Sequence, residues 1–270
     1  MSLEEKREKE YALKESKTKT LKDRSALRKT KDYVFDEATL QALDALIRKK
    51  VIDGLGGVIA TGKEGNVFYA YTPSDDVVVC KIYKMETSSF HSMSKYIVGD
   101  PRFSDIRKNR RSIILNWCKK EYRNLSIAHE VGVRVPLPLA FKDNVLVMEF
   151  IGTIGKEEVE ASVPLRNMHL TKKQGLYCYD KVVEYVARLF YKGGLIHGDL
   201  SEYNILGLVK GKKVEPVIID IGQGVLEAHP LAQDLINRDV EKLANFFNQF
   251  DANITEESVR EKIRAWEKRL

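Results

Sequence analysis

The sequence lacks the patterns that mark secreted, membrane-spanning and zinc-binding proteins. Among its 270 residues are only three cysteines, Cys80, Cys118 and Cys178, and none of them forms a CxxC pair. An odd number of widely spaced cysteines excludes a complete disulfide framework and favours a reducing cytosol. No run of about 18 uncharged apolar residues is present, and the first ten residues lack the apolar stretch of a signal peptide. The five histidines have no metal-binding spacing. We therefore expect a cytoplasmic protein with no membrane partner and no transition-metal site.

Positive charge is concentrated in two segments of the chain. The sequence has 45 Lys and Arg against 39 Asp and Glu, a net charge of +6. Residues 1–31 hold eleven of the basic residues and only six of the acidic ones. Eight more basic residues lie between positions 95 and 120: Lys95, Arg102, Arg107, Lys108, Arg110, Arg111, Lys119 and Lys120. Such segments attract phosphate backbones without reading their sequence, although a solvated arm and a solvated loop would give the same pattern.

Hydrophobic periodicity predicts a β-rich half followed by an α-rich half. Apolar residues at helical spacing predict a helix that begins near Asp36. Short β-branched runs at 58–60, 67–71 and 77–83 predict an antiparallel meander. Serine clusters without a sustained period predict a flexible loop at 87–111.

The second part of the chain alternates helices and short strands. We expect a helix at about 112–130, a strand at 145–150 and a glycine hinge at 152–155. A long helix should then end at Gly193-Gly194, and two strands should flank the KGKK turn at 210–213, with two helices closing the chain. The predicted organisation is a basic arm (1–31), an N-terminal lobe (32–151) and a C-terminal lobe (152–270).

The strongest chemical signal is the run HGDLSEYN, which includes Asp199 and Asn204. Asp220 follows sixteen residues later, directly after the apolar run Val-Ile-Ile. An ionised carboxylate at the end of a buried strand is costly unless a cation such as Mg²⁺ accompanies it. A base Asp, an Asn five residues later and a second Asp after a strand match the base and metal ligands of phosphoryl transfer. A capped turn would explain one acidic residue but not the ordered set.

A second signal, ATGKEGNV at 60–67, lies between two predicted strands. Compared with the pattern G-x-G-x-x-G-x-V, Ala60 replaces the first glycine, whereas Gly62, Gly65 and Val67 fit. Its backbone amides are candidates to cover phosphates, although a plain hairpin turn would have the same composition. The candidate nucleotide-binding residues here are Ala60, Thr61, Gly62, Lys63, Glu64, Gly65 and Val67.

Lys81 lies inside the apolar run VVVCKIY, where an ammonium group suits a phosphate and an opposing carboxylate. It would face solvent if the strand exposes that side. Glu121 is the best candidate for its partner, and the spacing also leaves Glu130 open. The segment MEFI at 148–151 connects a strand to the glycine hinge, where backbone groups can pair with an adenine edge.

Together these residues resemble the RIO family of atypical protein kinases over about residues 50–250, and most closely the compact archaeal form of its Rio-one branch. The motifs that carry the resemblance are TGKEGNVF, VCKIYK, WCKKEYRNL, MEFIG, IHGDLSEYN, IIDIGQGV and HPLAQDLINRDV. The pattern HGDL-x-x-x-N alone is shared with aminoglycoside phosphotransferase-like enzymes. The resemblance implies an α+β, bilobal protein-kinase-like fold with a β-rich N-lobe and a truncated, α-rich C-lobe.

The resemblance also assigns roles to the candidate residues. Asp199 would be the catalytic base, and Asn204 and Asp220 would bind Mg²⁺, with Mn²⁺ as an alternative. Lys81 would position the ATP phosphates, and Glu121 would orient Lys81. Around the nucleotide, residues 60–67 would cover ATP. Met148 would border the pocket, and the backbones of Glu149 and Ile151 would hold adenine. Asp220 would also be phosphorylated transiently during ATP hydrolysis.

The departures from ordinary protein kinases bear on the substrate. Gly198 replaces the arginine of the usual HRD motif, and few residues follow Gly222 to build a peptide-binding platform. The resemblance implies a Ser/Thr kinase or ATPase in rRNA processing and small ribosomal subunit maturation. Its partners would be the pre-small-subunit particle, its rRNA and a protein substrate, with autophosphorylation at serines within 88–112. The alternatives are a small-molecule phosphotransferase and a non-catalytic, nucleotide-gated RNA- or ribosome-binding factor.

Overall fold

The computed structural model of the protein describes residues 35–104, 106–107, 109–155 and 159–270. The basic arm predicted at 1–31 and Lys108 of the second basic segment lie outside these ranges. None of the helices in the described ranges is both long enough and apolar enough to cross a membrane.

An antiparallel five-stranded sheet forms the N-terminal lobe, in the order β1-β2-β3-β5-β4. Its strands are β1 (Gly54–Thr61), β2 (Gly65–Tyr71), β3 (Val77–Tyr83), β4 (Pro138–Lys142) and β5 (Val145–Glu149). The predicted meander is therefore confirmed as β1 to β3. Helix α1 (Glu37–Arg48) begins after Asp36, whose side chain accepts a hydrogen bond from the Thr39 amide. Its apolar stripe packs on one face of the sheet through Leu43 and Leu46.

Helix α3 (Arg110–Glu130) covers the opposite face of the sheet. It begins two residues earlier than the sequence predicts, because Asn109 acts as its N-cap and accepts a hydrogen bond from the Ser112 amide at 2.8 Å. Trp117 and Leu125 on its buried face join the core of the C-terminal lobe. A single helix therefore connects the sheet to the second lobe.

The expectation of an irregular loop at 87–111 is wrong for part of that segment. Helix α2 (Phe90–Ile97) and a 3₁₀ turn (Pro101–Phe103) lie within it. Met93, Tyr96 and Ile97 recur at helical spacing and are buried next to α3. The surrounding serines conceal this short period, and a helix of this length owes its stability to tertiary packing rather than to propensity.

The predicted hinge at 152–155 is instead a strand, β6 (Gly152–Ile154), paired with β7 (Val159–Ala161). A side chain at Gly152 would collide with the Glu160 carbonyl on the opposite strand. This glycine is therefore required because two backbones approach closely. In the sequence, a glycine of this kind cannot be distinguished from a hinge glycine.

After β6 and β7, the described part of the C-terminal lobe contains four more small strands and three α-helices. They are α4 (Lys172–Tyr191), β8 (Leu195–Ile196), β9 (Ile205–Lys210), β10 (Lys213–Ile218), β11 (Val225–Leu226), α5 (Ala232–Phe247) and α6 (Glu256–Glu267). Helix α4 starts with a capping box between Thr171 and Gln174 and ends just before the predicted glycine pair. The predicted bilobal, kinase-like fold is confirmed.

Candidate functional site

A cavity of about 640 Å³ lies between the two lobes. The residues predicted to contact nucleotide all line it: Ala60, Thr61, Gly62, Lys63, Glu64, Gly65, Val67, Lys81, Met148, Glu149 and Ile151. Glu121 and Asp220 also line it, and the C-terminal lobe adds Leu206 and Ile219. Residues that the sequence predicts to contact the nucleotide therefore form a large part of the cavity wall.

The turn between β1 and β2 forms one wall of the cavity. The Gly62 amide donates to the Gly65 carbonyl at 2.9 Å, which makes the segment a hairpin turn. Lys84 Nζ donates to the Gly62 carbonyl at 2.8 Å, so the turn is anchored to the end of β3. A Cβ at Gly65 would lie 2.5 Å from the Ile82 carbonyl oxygen. The segment is therefore a hairpin turn that lines the cavity, and Gly65 is required by the close contact between β2 and β3.

Lys81 faces α3 and the cavity. Its Nζ lies 2.9 Å from both carboxylate oxygens of Glu121 and 2.7 Å from Asp220 Oδ1, which resolves the choice between Glu121 and Glu130. Burial alone would lower the pKa of Lys81, but the carboxylates of Asp220 and Glu121 raise it above its usual value. Burial raises the pKa of Glu121, and the Lys81 ammonium opposes that rise. Lys81 is therefore a fixed cation at the cavity wall.

Asp220 has an unusual backbone conformation for a residue with a side chain. Its φ of 60° and ψ of 51° lie in the left-handed region, two residues after the end of β10. Residues other than glycine rarely adopt this conformation, and those that do are concentrated at functional sites. The Lys81 ammonium lowers the pKa of Asp220, so its carboxylate is held ionised beside the cavity.

Asp199 and Asn204 lie next to Asp220 through the backbone. The Ile219 amide, one residue before Asp220, donates to the Asn204 carbonyl at 2.9 Å. Asn204 Nδ2 donates to the Asp199 carbonyl at 2.8 Å, which leaves the Asn204 amide oxygen available as a ligand. His197 supports this loop: its Nε2 is 3.1 Å from the Ile219 carbonyl, and burial lowers its pKa.

The residues present fit a magnesium ion. One carboxylate and one amide oxygen, at Asp220 and Asn204, are the hard oxygen ligands that Mg²⁺ takes from proteins, while water and phosphate oxygens complete its shell. In the described ranges no cluster of three or more His, Cys, Asp or Glu residues could hold a metal alone.

Three side chains around Asp199 had no predicted role. Lys242 Nζ lies 2.7 Å from Asp199 Oδ1, and Gln223 Nε2 donates to Asp199 Oδ2 at 3.1 Å. Asp239 accepts hydrogen bonds from the Gly198 and Leu200 amides, both at 2.8 Å. Gln223 and Asp239 fall inside quoted motifs, but only the fold shows what they contact.

A second group of polar side chains connects α3 to the segment that follows Asp220. Lys120 is fully buried and donates to the Gly222 and Gly224 carbonyls. Asn124 donates to the Ile221 and Gly224 carbonyls and accepts from Arg102, which is paired with Asp100. Lys120 and Asn124 lie one helical turn apart, on either side of Glu121 in sequence. Helix α3 thus holds both Lys81 and the Asp220 segment.

Some backbone groups of the connector between the lobes are already paired within the fold. The Glu149 amide donates to the Leu137 carbonyl at 2.8 Å, and the Ile151 carbonyl accepts from Ser162 at 2.9 Å. The Ile151 amide has no backbone partner among the described residues, so it can donate to an adenine edge. The Glu149 side chain instead forms a two-point ion pair with Arg134.

Comparison with known proteins agrees with the resemblance seen in the sequence. Residues 66–260 match the model of the RIO domain family. The RIO-type serine/threonine-protein kinase Rio1 of Haloferax volcanii is 40% identical over 233 residues, which cover 86% of this chain and 77% of that protein. The Rio1 protein of Methanocaldococcus jannaschii is 40% identical over 222 residues, covering 82% of this chain and 72% of that protein.

Solved structures agree at the level of the fold. The ADP/Mg²⁺-phosphoaspartate complex of the Rio2 kinase from Chaetomium thermophilum matches with a TM-score of 0.60 and 21% identity, covering 83% of this chain and 66% of that one. A second structure of the Rio2 kinase from the same organism gives a TM-score of 0.59 at 22% identity, covering 82% of this chain and 66% of that one. With its motifs, its fold and these relatives in agreement, the chain belongs to the RIO domain family.

Proposed function

We propose that this chain is an atypical Ser/Thr protein kinase that uses ATP and Mg²⁺ and that also hydrolyses ATP. The observation that carries the proposal is the convergence of Lys81, Glu121 and Asp220 at one cavity wall, with Asp199 and Asn204 beside Asp220. The Rio1 relatives named as serine/threonine-protein kinases support the reaction class.

Each residue has a distinct task in the transfer. Lys81, held by Glu121, binds the phosphates, and the turn at 62–65 covers them. Bound Mg²⁺ would be held by Asn204 and Asp220 and would neutralise charge on the phosphate oxygens. Asp199 accepts the proton of the attacking hydroxyl while that oxygen bonds to the γ-phosphorus. The bond from the γ-phosphorus to the bridging oxygen breaks, and ADP leaves with its electron pair.

For hydrolysis we infer a two-step route through Asp220. A carboxylate oxygen of Asp220 attacks the γ-phosphorus and releases ADP, and water then cleaves the acyl phosphate to restore the carboxylate and release phosphate. The Rio2 complex from Chaetomium thermophilum contains a phosphoaspartate. The ionised state of Asp220 and its place on the cavity wall support the same chemistry in this chain.

The test is to incubate the protein with γ-labelled ATP and Mg²⁺ and to follow phosphate release and covalent label together. We expect K81A, D199A and D220A to abolish ATP turnover. Label that hydroxylamine removes would identify the acyl phosphate, whereas hydroxylamine-resistant label on serine would identify kinase activity. Full turnover in both D199A and D220A would overturn the proposal, and ADP release stimulated by aminoglycosides or sugars would favour a small-molecule phosphotransferase.

We also propose that the cellular partner is the pre-small-subunit ribosomal particle and its rRNA. Of the second basic segment, Lys120 is buried and Arg102 is paired with Asp100, so neither is free to bind a polyanion. Arg107, Arg110 and Arg111 remain exposed and support contact with phosphate backbones.

The salt dependence of RNA binding tests this surface. With a small-subunit rRNA fragment, R107A/R110A/R111A should reduce the slope of log K against log salt by about 2. The matched control, K172A/K212A/K213A, removes three exposed lysines of the C-terminal lobe and should leave the slope unchanged. Equal slopes for wild type and the arginine variant would contradict the proposed surface.

A further inference from the structure

The carboxylate of Asp199 is held at both oxygens by side chains from different parts of the fold. Lys242 on α5 contacts Oδ1 at 2.7 Å, and Gln223, three residues after Asp220, donates to Oδ2 at 3.1 Å. The Asp199 side chain is 35% exposed, so burial alone does not fix its orientation. Asn204 Nδ2 also approaches Oδ2, at 3.4 Å. Lys242 is the charged member of this set and the one that contacts Oδ1, so it contributes to the direction of the remaining lone pairs.

Lys242 comes from the same face of α5 that holds the backbone of the loop around Asp199. Asp239 lies three residues before Lys242, a spacing that places two side chains on one helix face. Its two carboxylate oxygens accept the Gly198 and Leu200 amides, which flank Asp199 in sequence. One turn of α5 thus fixes the main chain of the loop through Asp239 and its reactive side chain through Lys242.

Several carboxyl groups lie near Asp199, so a cation beside it would stabilise the site. Glu64 and Asp220 line the same cavity. Burial raises the pKa of Glu64, and the carboxylates of Asp220 and Asp199 raise it further, against the opposing effect of Lys81. Lys81 is already engaged by Glu121 and Asp220. Within the described ranges, Lys242 is the cation in ion-pair contact with Asp199. Because ATP brings further negative charge, a fixed positive charge beside the base has a clear electrostatic use.

We propose that Lys242 is a positioning residue for phosphoryl transfer: it aims the Asp199 carboxylate at the attacking hydroxyl and balances its charge. This inference rests on the proposed function. Lys242 does not line the nucleotide cavity, whereas Lys81 does. Loss of Lys242 should therefore lower kcat and leave the KM for ATP nearly unchanged, whereas loss of Lys81 should both lower kcat and raise the KM for ATP.

The first experiment compares ADP release by wild type, K242M, K242Q and a matched control, K142M. Lys142 pairs with Asp143 on the sheet edge, with 45% and 37% of the two side chains exposed, against 41% and 35% for Lys242 and Asp199. We expect K242M to lower kcat by about 10-fold to 100-fold with the KM for ATP within about twofold. K242Q, which keeps a hydrogen-bond donor without charge, should fall between K242M and wild type, and K142M should match wild type.

The second experiment restores the charge chemically in a single protein. The native cysteines Cys80, Cys118 and Cys178 are all buried, so a cysteine introduced by Lys242→Cys would be the accessible thiol. Its thiolate displaces bromide from 2-bromoethylamine, which gives a side chain of lysine length with an ammonium group. Iodoacetamide gives a neutral side chain of similar size. We expect aminoethylation to recover most of kcat and carbamoylmethylation to recover little.

Each outcome separates the inference from the proposed function. A wild-type protein that fails to release ADP would overturn both. ADP release that depends on Asp199 but is unchanged or faster in K242M would overturn only the role of Lys242. Equal recovery with both alkylating reagents would likewise overturn it, because size rather than charge would then matter. A rescue specific to the ammonium group also excludes misfolding as the cause of the lost activity.

Discussion

At the scale of single residues, we expect the ion pair between Lys81 and Glu121 to be replaceable for stability but not for activity. Glu121 is fully buried, and its ion pair with Lys81 compensates its charge. Removing one member of a buried pair costs about 3–5 kcal/mol, whereas replacing both by apolar residues is often neutral. We therefore expect K81M to lower the free energy of unfolding by that amount and K81M/E121M to recover most of it. Urea denaturation measures both variants.

Neither variant should turn over ATP, because both lack Lys81, the cation that we propose binds the phosphates. The combination of restored stability and absent activity would show that the pair is kept for chemistry rather than for folding. A double variant as unstable as K81M would contradict this separation, and one that turns over ATP would contradict the assigned role of Lys81.

Asp239 predicts a pH dependence of stability. Burial raises its pKa to about 7 from an ordinary 3.8, and the Leu200 and Gly198 amides oppose that rise. Between these two values the folded protein binds more protons than the unfolded chain, so its stability falls as pH rises from about 4 to about 7. D239N removes this dependence. The free energy of unfolding of wild type relative to D239N should therefore fall with pH, by up to about 1.4 kcal/mol per pH unit. If the free energy of unfolding had the same pH dependence in both proteins, the raised pKa of Asp239 would be contradicted.

At the scale of elements, the sequence predicts what local periodicity and capping encode. Helix α1 and strands β1 to β3 follow from apolar spacing, turn residues and an N-cap. Helix α2 and strand β6 do not, because both depend on partners distant in sequence: α2 buries its apolar face next to α3, and β6 approaches β7 too closely for a side chain at Gly152. The serines around α2 and the glycine at the start of β6 make these segments look like loops in the sequence.

The same distinction separates the candidate site residues that sequence reasoning finds from those it misses. Asp199, Asn204 and Asp220 are recognisable because their spacing along the chain reflects one chemical requirement. Lys242 and Asn124 act through contacts about 43 and 100 positions away, with Asp199 and with Gly224. No local pattern encodes these contacts. A helical spacing that places Lys120, Glu121 and Asn124 on one side of α3 was the available signal for Asn124.

The turn between β1 and β2 gives a prediction at this scale. A methyl group at Gly65 would lie 2.5 Å from the Ile82 carbonyl, so G65A must push β2 away from β3. Overpacking of this kind costs about 1–3 kcal/mol, and it should also weaken ATP binding because the turn lines the cavity. G57A on β1 is the matched control, since a Cβ at Gly57 has no neighbour within 4 Å. Urea denaturation and nucleotide titration of both variants test this, and equal effects would contradict it.

At the scale of the whole molecule, the two lobes share one site. Residues of the sheet form one wall of the cavity, and Leu206, Ile219 and Asp220 of the C-terminal lobe form another. Helix α3 connects these walls, because it carries Glu121 toward Lys81 and Lys120 and Asn124 toward the segment after Asp220. A ligand that fills the cavity therefore contacts both lobes and stabilises them together.

Nucleotide should accordingly raise the Tm of the entire protein in a magnesium-dependent way. A ligand at 100 times its Kd adds about 2.7 kcal/mol, which corresponds to roughly 5–10 °C for a chain of this size. We expect a non-hydrolysable ATP analogue with Mg²⁺ to give a shift in this range, with Mn²⁺ substituting for Mg²⁺, and a smaller shift in EDTA. In D220N the difference between Mg²⁺ and EDTA should disappear, because Asp220 is the carboxylate that we propose as the metal ligand, while the nucleotide alone still raises Tm. A magnesium-dependent shift that persists in D220N would place the ion elsewhere and would remove Asp220 from the metal site.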